Sequence, residues 1–403
     1  MENFMKNFDR IFLIVMDSLG IGKAKDAANF GDEGSNTFSH IGNYFEKGLH
    51  IPTLNSLGVA DLDEIKGTSI INHPHSFTTR LEEASNGKDT MTGHWEMMGI
   101  LTTKPFQTFT DTGFPKELID ALERETGHKL IGNYAASGTE ILKDLGEDCM
   151  KNNHLIVYTS SDSVLQLCGH EETMGLNELY RCCEIARKLT MKPEWFVGRI
   201  IARPFVGTNK DNFKRTSNRH DYTISPSGIT AMELLKNNNI TVSCVGKIND
   251  IFNGVGVSET VHTSSNSDGM EKTLKICQNK NFKKGFCFVN LVEFDSEFGH
   301  RRNVEGYGKA IEQFDIELKE LIANLKDNDL LMITADHGND PTWKGTDHTR
   351  ENVPLIIYSK SITNGKNLNN RFSFADIGDT ILTNFGLSKD KTMIGETIKE
   401  IFE

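Results

Sequence analysis

The chain has 403 residues, 37% hydrophobic and 25% charged, an ordinary balance for a soluble globular protein of two or three domains. Its formal net charge of −12 argues against a general nucleic-acid binder, which needs a basic face, yet leaves room for a local cationic pocket. Seven scattered cysteines without CxxC spacing fit reduced thiols, and no apolar run reaches the roughly 20 residues that span a bilayer, so a cytoplasmic protein with no membrane or nucleic-acid partner is expected.

The first predicted element covers residues 10–17. Ile11 to Met16 are all apolar and read as a strand buried on both faces, as in a parallel sheet covered by helices. The run is too short for a signal-peptide core, and Asp17 ends it at once. The next stretch, SLGIGKAKDAANFGDEGSN, is rich in Gly, Ala and Asp and reads as a loop over the strand's C-terminal end.

The segment GKDTMTGHWEMMG (87–99) places Asp89, Thr90 and Thr92 before a helix-like run that includes Glu96. Its plain reading is a helix N-cap. Its functional reading uses the same physics: free N–H groups and the positive dipole end hold a phosphate, and a metal beside a threonine activates the hydroxyl as a nucleophile. Spacing alone does not choose between Thr90 and Thr92.

From about 101 to 224 the pattern changes, and a second, smaller α/β domain is expected there, inserted into a core of residues 1–100 and 225–403. Residues 154–167 and 194–207 read as strands of mixed polarity. In the second, Val197, Arg199, Ile201 and Arg203 alternate onto one side, as in a sheet with one face partly open. LCGHEE, after VLQ, reads as a loop, and 207–226 is polar and loop-rich. The later runs 240–246, 286–294, 330–335 and 353–359 are short, apolar and separated by helical patterns. Ile311, Phe314, Leu318, Leu321, Ile322 and Leu325 make the apolar face of a helix over 304–326, and Ile377, Ile381, Leu382 and Phe385 that of another. Strands alternating with helices mean an α/β fold with a mostly parallel sheet.

Asp17, Asp295 and Asp336 each follow such a strand. His300 comes shortly after Asp295, His337 is next to Asp336, and His348 lies in the following loop. Ligands of open parallel sheets bind outside the carboxyl ends of the strands. Oxygen and imidazole donors without thiolates suit two ions of Zn²⁺ or Mn²⁺ type. Two such ions roughly 4 Å apart grip the attacking and leaving oxygens of a phosphoryl group. Taken singly, an Asp after a strand is usually a turn residue and a lone His structural; together they point to a metal site.

With these residues in hand, the chain resembles the alkaline phosphatase superfamily and, within it, the phosphopentomutase family, nearly end to end. The segments that carry the likeness are IVMDSLGIG, GKDTMTGHWEMMG, VYTSSDSVLQ, GRIIARPFVG, RTSNRHDY, VGKINDIF, NLVEFDSEFGHRRN and ITADHGNDPTWKGTDHTRENVP. The resemblance implies an alkaline-phosphatase-like core with an inserted cap domain and two Mn²⁺ ions. Asp17, Asp336 and His337 would hold one ion, and Asp295, His300 and His348 the other. Thr90, chosen over Thr92 by the resemblance, would bridge both and carry the phosphoryl group. Arg199 and Arg215 would grip the phosphate of an incoming sugar phosphate, Ser160 and Asp162 the sugar, with Lys247 from the core. His94 and His220 are read as structural.

The implied activity is that of an isomerase: ribose 1-phosphate and ribose 5-phosphate, and the deoxyribose pair, interconverted through a phosphothreonine and a sugar bisphosphate, in nucleoside catabolism. A bisphosphate primer such as glucose 1,6-bisphosphate would load the enzyme, and a monomer is expected. A hydrolase of the same superfamily would share the metal ligands but release free phosphate. A non-catalytic sugar-phosphate binder would turn nothing over.

Overall fold

The computed structural model describes residues 7–160 and 163–403. Its strands, in chain order, are β1 (Arg10–Met16), β2 (Ser76–Leu81), β3 (Leu130–Ala135), β4 (Leu155–Thr159), β5 (Val164–His170), β6 (Arg199–Val206), β7 (Lys214–Arg215) and β8 (His220–Thr223). They continue with β9 (Thr241–Val245), β10 (Glu259–Val261), β11 (Gly285–Leu291), β12 (Asp329–Thr334) and β13 (Val353–Tyr358). The chain divides into two units: Met1–Thr103 with Ser225–Glu403, and Lys104–Ile224.

The first unit is built on a seven-stranded sheet in the order β10-β9-β11-β1-β12-β13-β2. The five strands from β10 to β12 run parallel, and β13 and β2 are antiparallel additions at one edge. Every residue of β1, β11 and β12 is buried, which explains why their sequences are apolar without alternation. In register, Met16 lies opposite Leu291, and Val15 opposite Thr334. The ends of these three central strands therefore share one edge. The crossover from β11 to β12 uses the helix Val304–Asn324, which buries Ile311, Phe314, Leu318 and Leu321. The run expected as a strand to residue 294 stops at Leu291. The chain then enters a wide π-type turn, Phe294–Gly299, that carries Asp295.

The second unit holds a sheet in the order β3-β4-β5-β6-β7, with β8 also paired to β6. Residues 154–167 form two antiparallel strands rather than one, and LCGH continues β5 instead of forming a loop. Both faces of this sheet are covered, against the expectation of a partly open face. Leu118 and Leu122, with Leu179 and Cys183 of the helix Leu176–Leu189, pack on one side; Ile141, Leu142 and Cys149 of the helix Glu140–Asn152 pack on the other. Arg199 and Arg203 are only half-buried in β6.

Candidate metal centre and nucleophile

Asp17, the first residue after β1, is 2% exposed. Its Oδ2 accepts from Asn290 Nδ2 at 2.8 Å, while its Oδ1 has no hydrogen-bond partner. Ser18 follows with φ of 70°, a left-handed conformation uncommon outside glycine. That turn aims its N–H at Asp336 Oδ1, 3.0 Å away. Asp336 Oδ2 has no hydrogen bond, although His94 Nδ1 and His337 Nε2 stand 3.2 and 3.3 Å from it. Burial, then Asp336 and Asp295, push the Asp17 pKa well above the carboxylate range. Burial opposes the charged ring of His337, but Asp336, Asp295 and Asp17 outweigh it and hold that imidazole well above its usual pKa.

The second group lies beside the first. Asp295 Oδ1 accepts from Asn339 Nδ2 at 2.7 Å. Its Oδ2 lies 3.0 Å from His300 Nε2 and 3.6 Å from His348 Nε2. Burial alone would raise the Asp295 pKa, but His300 and His348 outweigh it and set it well below the ordinary value. The Nε2 atoms of His300 and His348 are 3.1 Å apart. His300 Nδ1 donates to the Thr346 carbonyl at 2.7 Å, and His337 Nδ1 to the Gly338 carbonyl at 3.0 Å, so Nε2 is the nitrogen each ring turns inward. The rings of His337 and His348 are 4.0 Å apart between centroids and join the two groups.

Each trio, Asp17–Asp336–His337 and Asp295–His300–His348, has its donor atoms within 4.8 Å of one another. Buried carboxylate oxygens without hydrogen bonds and convergent imidazole nitrogens carry a large cost unless a cation lies among them. The donor set therefore fits divalent metal ions. A third trio, His128, Glu178 and Cys182, does not: Arg181 Nε and Nη2 already hold both Glu178 oxygens.

Thr90 opens the helix Thr90–Met97, capped by Asp89. Thr90 Oγ1 lies 3.1 Å from His337 Nε2. Thr92 is fully buried, and its hydroxyl donates to Asp89 Oδ2 at 2.6 Å. Gly93 lets the helix reach the strand end, because a Cβ there would stand 2.1 Å from the Asp336 carbonyl oxygen. The Asp89 carboxylate also accepts from the Thr92 N–H, as the N-cap reading expects.

His94, read from sequence as structural, lies at the centre. Its Nδ1 is 2.8 Å from the Thr90 carbonyl oxygen, and its Nε2 3.4 Å from Asn290 Nδ2. Sequence reasoning also passed over Asn290 and Asn339. Asn290 had a signal, as the one polar side chain in the apolar run FCFVNL. Asn339 had none beyond its nearness to His337.

The expected substrate residues are more dispersed. Ser160 is half-buried after β4, its carbonyl accepting from Thr110 Oγ1 at 2.8 Å. Asp162 lies outside the described residues. Arg199 begins β6, whereas Arg215 on β7 pairs with Phe205 near the strand's other end. Six residues of strand put these two positions about 20 Å apart along the backbone. Arg215 instead shares a cavity of about 460 Å³ with Arg203, Lys214 and Arg219. Lys247 is exposed after β9 and lines a cavity of about 360 Å³ with His262 and Glu293 at the carboxyl edge of the main sheet.

The sequence matches the Metalloenzyme superfamily over residues 9–389. It is 56% identical to a phosphopentomutase of Clostridium beijerinckii over 394 residues, covering 98% of this chain and 99% of that one. It is 57% identical to a phosphopentomutase of Agathobacter rectalis over 396 residues, covering 98% of this chain and all of that one. A phosphopentomutase of Clostridium tetani is 55% identical over 398 residues, covering 98% of this chain and 99% of that one.

Proposed function

The chain belongs to the phosphopentomutase family of the Metalloenzyme superfamily, and so to the phosphomutases among the isomerases, and we propose that it interconverts ribose 1-phosphate and ribose 5-phosphate, with their deoxyribose counterparts. The reaction runs through phosphothreonine at Thr90. A hydroxyl of the sugar monophosphate attacks the Thr90 phosphorus, the bond to Thr90 Oγ1 breaks, and a sugar bisphosphate forms. Thr90 Oγ1 then takes the other phosphoryl group, and the isomeric monophosphate leaves. Glucose 1,6-bisphosphate, or a like bisphosphate, loads Thr90 at the start.

The observation that carries this reading is the position of Thr90 Oγ1, 3.1 Å from the inward nitrogen of His337, while the Thr92 hydroxyl is taken by Asp89. Asp17, Asp336 and His337 would hold one Mn²⁺, and Asp295, His300 and His348 a second. Bound there, the ions would neutralise charge on the transferring group and lower the pKa of the hydroxyl. The positive end of the helix that opens at Thr90 would favour the phosphoryl oxygens. Asn290 and Asn339 hold Asp17 and Asp295 in orientation through one carboxylate oxygen each.

Arg215, with Arg203 and Arg219 in the same cavity, suits the phosphate that is not in transfer; Arg199, Ser160, Asp162 and Lys247 complete the proposed substrate contacts. Among the described residues no helix is long and apolar enough to cross a membrane. We place the enzyme in the cytoplasm, acting as a monomer.

A paired assay tests the reaction. Ribose 1-phosphate is supplied with Mn²⁺ and glucose 1,6-bisphosphate, and ribose 5-phosphate and free phosphate are followed together. Ribose 5-phosphate with little free phosphate is expected. Free phosphate matching substrate loss would replace the mutase by a hydrolase.

A further inference from the structure

Arg350 lies two residues beyond His348 and is 3% exposed. Its guanidinium has five N–H donors, and each has an acceptor. Nε donates to Asp26 Oδ1 at 3.1 Å, and Nη2 to Asp26 Oδ2 at 2.9 Å and to the Glu83 carbonyl at 2.8 Å. Nη1 donates to the Glu83 carboxylate and to the Gly87 carbonyl at 2.5 Å. The Phe30 ring lies 5.0 Å from Cζ, and the Arg350 N–H donates to Asp32 Oδ2 at 2.9 Å. Asp32 in turn accepts from Lys88 Nζ at 3.0 Å.

These contacts join three separate stretches of chain. Asp26, Phe30 and Asp32 come from the loop after β1. Glu83, Gly87 and Lys88 come from the segment that leads into Thr90. Arg350 itself continues the loop that carries His348. A full fork at this place is more than charge neutralisation needs. One lysine would balance the same carboxylates, but its three donors on a flexible stem cannot reach two carbonyls and two carboxylates at once.

We propose that Arg350 is a positioning residue that sets Thr90 at the correct distance from the donor group of His348. This inference rests on Thr90 as the acceptor of the phosphoryl group. Arg350 touches neither the reacting oxygen nor an expected metal ligand. It acts through Gly87, three residues before Thr90, and through its own backbone link to His348. A displacement of about 1 Å at a reacting group costs on the order of 100-fold in rate. The chemical step should therefore be far more sensitive to this residue than metal binding is.

The test compares wild-type protein with Arg350→Lys, each stripped and reloaded with Mn²⁺. Three quantities are read: the single-turnover rate at which glucose 1,6-bisphosphate phosphorylates Thr90, by quenching and mass spectrometry; Mn²⁺ affinity, by calorimetry; and the melting temperature. The expected result is a rate lowered about 100-fold, with Mn²⁺ affinity within a few-fold of wild type. A rate within threefold of wild type, or a rate loss that merely follows lost metal affinity, would overturn the inference. Absence of phosphate on Thr90 in the wild-type protein would overturn it together with the phosphothreonine reading. If Arg350→Lys does not fold, Asp26→Asn serves instead, since it weakens one arm of the fork from a partly exposed position. It should slow the same step in the same sense, and an unchanged rate would count against the inference.

Discussion

Thr92 Oγ1 donates to Asp89 Oδ2 at 2.6 Å, two residues along the same helix from the hydroxyl that faces His337. The two threonines of this segment therefore have different work. Replacing Thr92 by Val removes the hydroxyl from the cap and leaves an oxygen of the half-buried Asp89 carboxylate short of a donor. The expected cost is about 1–2 kcal/mol of stability, read by thermal or urea unfolding. Phosphorylation should still map to Thr90 in that variant. A shift of the phosphate, or its loss in a folded protein, would contradict the division of roles.

Asp17 and Asp336 each present a buried oxygen without a hydrogen bond. Without a cation the two carboxylates oppose one another. Chelation should therefore lower the melting temperature, and added Mn²⁺ should raise it in a concentration-dependent way. Asp17→Asn should reduce the bound ions from two per chain to one, measured by elemental analysis after gel filtration. Retention of both ions would remove Asp17 from the ligand set.

Glu351 gives a pH dependence unrelated to the transferring group. Its buried carboxylate accepts from the N–H groups of Gly22 and Thr37 at 2.9 Å, and from the hydroxyls of Thr37 and Thr349 at 2.8 and 2.6 Å. Burial, only partly opposed by these hydrogen bonds, pushes its pKa up to about 7 from an ordinary 4.5. The folded protein then holds this proton more tightly than the unfolded chain. Its stabilising contribution is complete below pH 4.5 and is lost as pH rises through 7. Unfolding free energies of wild type and Glu351→Gln, measured from pH 5 to 8, should diverge in slope. The wild type should lose on the order of 2–3 kcal/mol more than the variant over that range. Parallel curves would show that the carboxylate stays charged throughout.

All seven cysteines are free and buried. Burial raises the thiol pKa of Cys149 and Cys168 to about 12, and each of the other thiols is shifted upward as well. A chromogenic disulfide reagent at pH 8 should therefore react slowly with the native protein and with seven thiols after denaturation. Fast reaction of any thiol in the native state would mean that local opening exposes it.

The core strands were legible because β1, β11 and β12 are buried on both faces, and such strands are continuous apolar runs. The acidic residues that follow them were equally visible. What sequence could not supply was register: that Met16, Leu291 and Thr334 finish along one edge depends on pairing between distant strands. The edge strands β2 and β10 escaped notice because SFTTRL and ETV carry too little apolar pattern. The sequence puts Asp295 just past a strand, whereas a wide helical turn brings it to the site, and local periodicity has no mark for that. His94 was within reach, since a residue one helical turn after Thr90 must lie on the same face. The pairing of Arg199 with Arg215 rests on likeness alone, since no local pattern links a residue that begins β6 to one on β7.

Whether Thr90 carries the phosphoryl group is open to direct measurement. Wild-type protein loaded with Mn²⁺ should be incubated with glucose 1,6-bisphosphate, digested and mapped by mass spectrometry, beside Thr90→Ala. A single phosphate on Thr90 is expected in the wild type, and neither phosphate nor mutase turnover in the variant. Turnover retained by Thr90→Ala, or a wild-type phosphate on any other side chain, would contradict it.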